Sequence, residues 1–250
     1  MKTRIGIIGC GVVGGAMLAV MRGESYDIEP GKSTTGSLDE LLSRVDCVFI
    51  CVPTPMAPDG AANVSIVESV VRNVRALDPA MPIAVRSTVP PGTCERLGVV
   101  FNPEFLTERQ ALQDMQNPSA IYLGGDDNGF FEALYREHFT APIVHMTRTQ
   151  AELFKYAHNV AGAARVAFAN EVWQVCQALG EDYNQLAVEL PKMPTLQTGH
   201  WQVPGPDGRL GFGGACFPKD VNAWVRVCEA LQIEPAVSKA AWSKSCELRK

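Results

Sequence analysis

The sequence predicts an α/β protein, a doubly wound parallel sheet at the N-terminus followed by a helical domain. Three observations carry this. Short apolar runs alternate with helical patterns over the first 148 residues, as in a parallel sheet covered on both faces. The first run, residues 4–8, leads directly into GCGVVG at 9–14 and then into an apolar helical pattern through Ala16, Leu18, Ala19 and Met21. From residue 149 the strand-sized runs give way to a long helix-period pattern reaching Leu179.

Strand, G-x-G-x-x-G and helix in that order are the context of a Rossmann-type dinucleotide site. Gly9 and Gly11 permit the tight turn and the approach of a pyrophosphate. Gly14 lets the helix pack on the strand, with its first amides facing the phosphates. A ribose-binding carboxylate is expected roughly 20 residues on. Asp27, 18 residues after Gly9, is the first candidate and Glu29 the second, against the alternative of a solvated turn carboxylate. An acidic residue there favours NAD over NADP, because it repels a 2′-phosphate.

The remaining elements follow in order. Residues 38–42 read as a helix, 47–52 (CVFICV) as a fully buried strand, 66–77 as an amphipathic helix, and 83–85 and 99–101 as strands; 121–123 and 143–145 are weaker strands. Ligands of such sheets gather beyond the strand C-termini. There the chain carries VPTP (52–55), STVPPGT (87–93) and NPEFLTE (102–108), hydroxyls and prolines suited to a shaped crevice or, singly, to capped turns. Thr149 and Glu152 form a capping box for the long helix. Its apolar stripe, from Leu153 to Leu179, is wider than one core face needs, so part of it is expected to meet a second subunit. Lys155 and Asn159 share a face of that helix. Residues 191–208 read as a Pro- and Gly-rich loop over the site, and 221–231 and 236–248 as two closing helices. The expected domains are 1–148 and 149–250.

A net charge of −5 argues against a nucleic-acid partner. No apolar run reaches membrane-span length, and the N-terminus lacks a secretory signal. The eight cysteines are scattered, with no C-x-x-C pair, and the four histidines have no ligand spacing. The expected setting is cytoplasmic, reduced and metal-free.

The most specific run is GFGGACFPKD at 211–220. Glycines flanking Cys216 let backbone approach a ligand closely. Lys219 can favour the thiolate and stabilise an oxyanion, and Asp220 can hold a water or accept its proton. The alternative is a tight turn with a buried structural thiol.

GCGVVG, VPTP, STVPPGT, NPEFLTE, AELFKYAHN (151–159) and GFGGACFPKD, in this order, resemble the UDP-glucose 6-dehydrogenase family within the nucleotide-sugar dehydrogenases, over the whole chain. The resemblance implies two successive NAD-dependent oxidations at C6 of a UDP-hexose, giving the uronic acid. It implies that Cys216 attacks the aldehyde and passes through a thiohemiacetal to a thioester. Lys155 and Asn159 would stabilise the oxyanion, and Asp220 with Thr88 and Glu108 would order water. Glu104, Phe105, Leu106, Lys219, Arg209 and Gly213 would contact substrate. Gly9, Gly11, Val12, Val13, Gly14, Asp27, Lys32, Val52, Pro53, Thr54, Ser87, Thr88 and Glu108 would line the NAD site. Phe217, where GDP-mannose enzymes often carry leucine, tilts the sugar towards UDP-glucose, and the expected assembly is a homodimer through the helix starting near Thr149.

The chain departs from the family pattern in three places. It stops before the family's further C-terminal nucleotide-closing domain, the segment between Asp27 and Cys47 is shorter than usual, and Thr107 stands where arginine or alanine is common. The rival expectations are a dehydrogenase of GDP-mannose or a UDP-N-acetylhexosamine, and a nucleotide-binding remnant without turnover.

Overall fold

The computed structural model describes residues 2–27, 31, 33–193, 196 and 200–250. Two compact units emerge, one of Met1–Pro55 with Asn63–Lys155, the other of Met56–Ala62 with Tyr156–Lys250.

The first unit is built on a seven-stranded sheet: β1 (Ile5–Ile8), β2 (Glu24–Tyr26), β3 (Cys47–Ile50), β4 (Ile83–Val85), β5 (Val100–Phe101), β6 (Ile121–Gly124) and β7 (Ile143–Met146). The spatial order is β2-β1-β3-β4-β5-β6-β7. The first five strands are parallel, as expected. β6 pairs antiparallel with β5 and β7 runs parallel to β6, so the sheet is mostly rather than wholly parallel. Chain order reverses at β1, between β2 and β3, and in open α/β sheets that switch point is where ligands bind.

Helices cover both faces. Along β3 the side chains alternate: Val48 and Ile50 join a core with Val67, Val71 and Val74 of α3 (Ser65–Leu77) and Leu41 and Leu42 of α2 (Leu38–Arg44). Cys47 and Phe49 join the opposite core with Met17 and Met21 of α1 (Val12–Met21) and Phe131, Leu134 and Tyr135 of α6 (Phe130–Arg136). This period of two explains why the buried strands read as continuous apolar runs. Three short helices of this unit escape the periodic reading: α4 (Thr93–Leu97), α5 (Ala111–Gln116) and α6. The strand expected from residue 99 starts at Val100, because Val99 N–H closes the end of α4 on Cys94 O. β3 stops at Ile50, ahead of the expected 52. Among the described residues only α2 lies between β2 and β3, which leaves β2 as the sheet edge.

α7 (Arg148–Leu179) begins in the first unit and its remainder belongs to the second. Its capping box is formed by Thr147 and Gln150, which exchange hydrogen bonds at 3.1 and 3.0 Å, instead of the expected Thr149 and Glu152. The second unit adds α8 (Tyr183–Glu189), α9 (Phe217–Ala230) and α10 (Ala236–Leu248). α9 starts four residues before the expected 221, with Pro218 in its first turn, where a missing N–H costs nothing. Ala163 and Ala167 of α7 pack on Phe212, Val221 and Ala241, small residues that let the helices approach. Phe168, Val175 and Leu179 on the same helix are 55%, 56% and 72% exposed.

Candidate active site

In the first unit the glycine loop sits between β1 and α1. Gly9 takes φ +95°, and a Cβ there would lie 2.8 Å from Cys51 O; at Gly14 it would lie 1.9 Å from Gly9 O. Gly11, the N-cap of α1, has open space where its Cβ would be, and its helix has no side-chain cap and no acidic residue in the first turn. Bare helix amides beside open space fit a pyrophosphate. Val12 is exposed and Val13 half-buried in that first turn. Asp27 directly follows β2, and its Oδ2 accepts the Cys10 N–H at 2.6 Å, which orients the carboxylate towards the glycine loop. Lys32 and the second ribose candidate, Glu29, lie outside the described residues.

The turns after β3 and β4 are laced together. Thr54 Oγ1 donates to Thr88 O at 2.9 Å, and Ser87 Oγ donates to Val52 O at 2.6 Å. Both hydroxyl residues are buried, Pro53 is exposed, and Val52 and Thr88 are half-buried. The far end of the STVPPGT turn is held by Glu152, which the sequence offered as a cap residue. It is fully buried, and its carboxylate accepts the N–H groups of Gly92 and Cys94 at 2.6 and 2.7 Å.

The NPEFL turn after β5 is fixed by a buried ion pair. Lys155 Nζ, 4% exposed as a residue, donates to Glu104 Oε1 at 2.9 Å and to Glu104 O at 2.6 Å. Glu104 Oε2 accepts Leu106 N–H at 2.8 Å. Burial pushes the Glu104 carboxyl up, but the charge and hydrogen bond of Lys155, the Leu106 N–H and the charge of Arg86 together hold it below the ordinary value. The Phe105 ring packs edge-on against Tyr122 and Phe154, with Lys155 Nζ 5.2 Å from its centroid. The Leu106 side chain packs against the core. Contact of these two residues with a ligand would therefore fall to their backbone. Glu108 is exposed at the start of a 3-10 turn. Behind the turn, Arg86 (5% exposed) donates through Nη1 to Asn102 Oδ1 and to Tyr135 OH, a buried network without a local signal in the sequence.

In the second unit Cys216 is exposed at the N-cap of α9. The helix dipole favours an anion at that end. One turn on, Asp220 is 1% exposed; Oδ2 accepts Asn159 Nδ2 and Oδ1 accepts Lys219 Nζ, each at 2.5 Å. Lys155 and Asn159, expected to act as a pair, thus have different partners: Glu104 for one, Asp220 for the other. Lys219, expected on substrate, is ion-paired with Asp220. Phe217 packs against His200 with the rings tilted and their centroids 5.2 Å apart, and a Cβ at Gly162 would meet its ring at 2.9 Å, so glycine makes room for it on α7. Arg209 is exposed and donates to Arg249 O at 3.0 Å, and Gly213 is half-buried. Among the described residues no group of three or more His, Cys, Asp or Glu could hold a metal ion, and no helix is long and apolar enough to cross a membrane.

Residues 31–139 match the NAD-binding domain of the UDP-glucose/GDP-mannose dehydrogenase family, and residues 149–244 match its central domain. The glycine loop precedes the first matched stretch. The GDP-mannose 6-dehydrogenase of Pseudomonas aeruginosa is 30% identical, over 98% of this chain and 64% of its own length. The UDP-glucose 6-dehydrogenase of the same organism is 30% identical, over 90% of this chain and 56% of its own. A UDP-glucose dehydrogenase structure from the archaeon Pyrobaculum islandicum superposes with a TM-score of 0.83 at 31% identity, covering 99% of this chain and 68% of that one. The P. aeruginosa GDP-mannose dehydrogenase superposes at 0.70 with 27% identity, covering 98% and 69%. The chain spans about half to two thirds of the length of these curated relatives.

Proposed function

The chain belongs to the UDP-glucose/GDP-mannose dehydrogenase family, and from that premise we propose that it is an NAD-dependent oxidoreductase converting UDP-glucose to UDP-glucuronate by two oxidations at C6. The first unit is the family's NAD-binding domain, and the bare amides at Gly11 with Asp27 beside the loop fit the pyrophosphate and an unphosphorylated ribose. NAD, when bound, supplies the hydride acceptor for both oxidations.

The observation that carries the reading is Cys216, exposed at the start of α9 one turn before the buried Asp220. After the alcohol has become an aldehyde, the thiolate adds to C6 and the carbonyl oxygen becomes an oxyanion. Asn159 and Lys155 serve as donors to it; Lys155 has three N–H groups and spends two on Glu104. Loss of hydride from C6 leaves the sugar bound to Sγ as a thioester. Water then adds to the carbonyl carbon, the C–S bond breaks, and the carboxylate leaves as the thiol is restored. Asp220 orders that water and takes its proton. Lys219, ion-paired with Asp220, contacts the sugar.

UDP-glucose is favoured as substrate by Phe217 and by the greater likeness to the archaeal UDP-glucose dehydrogenase than to the GDP-mannose enzyme, with TM-scores of 0.83 and 0.70. Purified protein incubated with UDP-glucose and NAD should form two NADH per sugar. Turnover with GDP-mannose or a UDP-N-acetylhexosamine instead would move the substrate assignment. NAD binding without turnover of any of them would make the chain a nucleotide-binding remnant. The working assembly is a homodimer through the exposed apolar residues of α7, in a cytoplasmic setting.

A further inference from the structure

Three of the four residues upstream of Ala215 and Cys216 meet side chains far away in sequence. Ser245, on α10 and 1% exposed, has a single hydroxyl that accepts Phe212 N–H at 3.0 Å and donates to Phe212 O at 3.0 Å. A serine hydroxyl can do both at once, so here it replaces a strand partner for one residue. Asn170 of α7, also 1% exposed, accepts Gly211 N–H at 3.0 Å and is itself oriented by its bond to Val166 O at 2.8 Å. The guanidinium of Arg249 lies against Gly213, where a Cβ would come within 2.5 Å, and donates to Asp207 Oδ2 at 2.7 Å. Gly211 takes φ +70°, and a Cβ there would meet Ser245 Oγ at 2.8 Å. Its glycine is demanded twice, by backbone and by neighbour.

Downstream of the thiol the chain is fixed as firmly, by Phe217 against Gly162 and by Asp220 on Asn159. Cys216 therefore closes a short bridge, residues 214–216, between two anchored points, with Gly214 at φ +77° supplying its bend. Those anchors set the path of the backbone that carries Sγ.

We propose that Ser245 is a positioning residue for Cys216, with Asn170 as its companion on the same segment. The proposal takes from the reading above only that Cys216 is the nucleophile. Freed of Ser245, Phe212 N–H and O lose their shared partner, the upstream anchor loosens, and the thiol samples a wider range of positions. A displacement of about 1 Å at a reacting atom costs on the order of a hundredfold in rate.

The test uses the full chain with Ser245→Ala, Asn170→Ala and Ser245→Thr, each first checked for native circular dichroism well below its unfolding midpoint. Iodoacetamide modification of Cys216 is followed at the peptide level by mass spectrometry, which separates it from the exposed Cys246. Steady-state kinetics with UDP-glucose and NAD run beside it. The expected result is a change of at least severalfold in the Cys216 alkylation rate and a fall in kcat of roughly ten- to a hundredfold. NAD affinity and KM for the sugar should be little changed, and Ser245→Thr, which keeps the hydroxyl, should restore both rates. Folded alanine variants with alkylation and kcat within twofold of wild type overturn the proposal. Failure of both to fold also overturns it, in favour of a purely structural role. An altered alkylation rate in a chain without dehydrogenase activity would leave the positioning role standing and sink the assigned reaction.

Discussion

Glu152 Oε1 accepts the backbone N–H of Cys94 at 2.7 Å, and its other oxygen takes that of Gly92 at 2.6 Å. One buried carboxylate on α7 thus caps the short helix α4 and fixes the turn that carries Thr88.

Removing that carboxylate strands two donors. Each buried N–H left without an acceptor costs about 1–3 kcal/mol, so Glu152→Ala should lower stability by about 2–4 kcal/mol in urea unfolding. Burial raises the Glu152 pKa above the ordinary value, against the opposing pull of the two N–H groups. Its protonation therefore favours folding, a contribution fully present below the ordinary glutamate value and lost as pH rises through the folded one. Glu152→Gln, which keeps an acceptor without the charge, should gain stability relative to wild type between acidic and neutral pH. A constant difference across that range would contradict this.

Lys155 and Glu104 make the opposite case. Here the carboxyl is held down, so the pair stabilises the fold above the ordinary glutamate value and that contribution fades as pH falls through the depressed one. Lys155→Met leaves a buried carboxylate without its cation, a loss of about 3–5 kcal/mol, and should shift acid unfolding to higher pH. Glu104→Gln should cost a similar amount, and the double variant much less than the sum. Additive losses would show that the two side chains act independently.

The glycine loop was legible because G-x-G-x-x-G is a local pattern whose meaning is set by the strand and helix beside it. Most strand positions were legible through apolar runs, but β2, ESY at Glu24–Tyr26, has none. Strand direction was not: Ile121–Gly124 reads the same whichever way it pairs, and its reversal against β5 is a tertiary fact. The capping box shows a different limit. Thr147–Gln150 and Thr149–Glu152 both satisfy the T-x-x-E/Q spacing, and the choice fell to Glu152's partners 58 and 60 residues away. Cys216, Asp220 and Lys219 stand within one run and announce themselves. Arg86, Asn170 and Ser245 do not, because a lone arginine, asparagine or serine gains its role only from neighbours that the chain brings back from afar.

Asp27 bears on cofactor choice. Its carboxylate already accepts Cys10 N–H, so Asp27→Ala would disturb the loop as well as the charge, whereas Asp27→Asn retains an acceptor. The wild type should prefer NAD, and Asp27→Asn should narrow the preference over NADP by on the order of tenfold, the effect of about 1.4 kcal/mol. Equal use of both cofactors by the wild type would remove Asp27 from the ribose site.

Self-association is checked at α7. Phe168, Val175 and Leu179 are each more than half exposed, and large exposed apolar groups on one helix favour burial against another chain. Light scattering at micromolar concentration should give a dimer, and Phe168→Glu with Leu179→Glu should give a folded monomer. A wild type that scatters as a monomer would end the dimer proposal.

The sharpest prediction concerns the nucleophile. If Cys216 carries the second oxidation, Cys216→Ser should stall at or before an oxygen ester, which water cleaves far more slowly than a thioester. Turnover should then fall by several orders of magnitude, on the scale seen when a covalent nucleophile is lost. NAD binding should survive, since Gly9, Gly11, Gly14 and Asp27 belong to the other unit. Stability should barely move, because Cys216 is exposed and surface substitutions usually stay within about 0.5 kcal/mol. The opposite pattern, normal turnover with a lowered unfolding midpoint, is what a structural thiol would give. The exposure of Cys216 already weighs against it, for a residue that contributes only packing has little to lose at the surface. Measuring kcat and the thermal midpoint on one preparation decides between the two, and a variant with near-normal turnover would take the thioester route out of this protein.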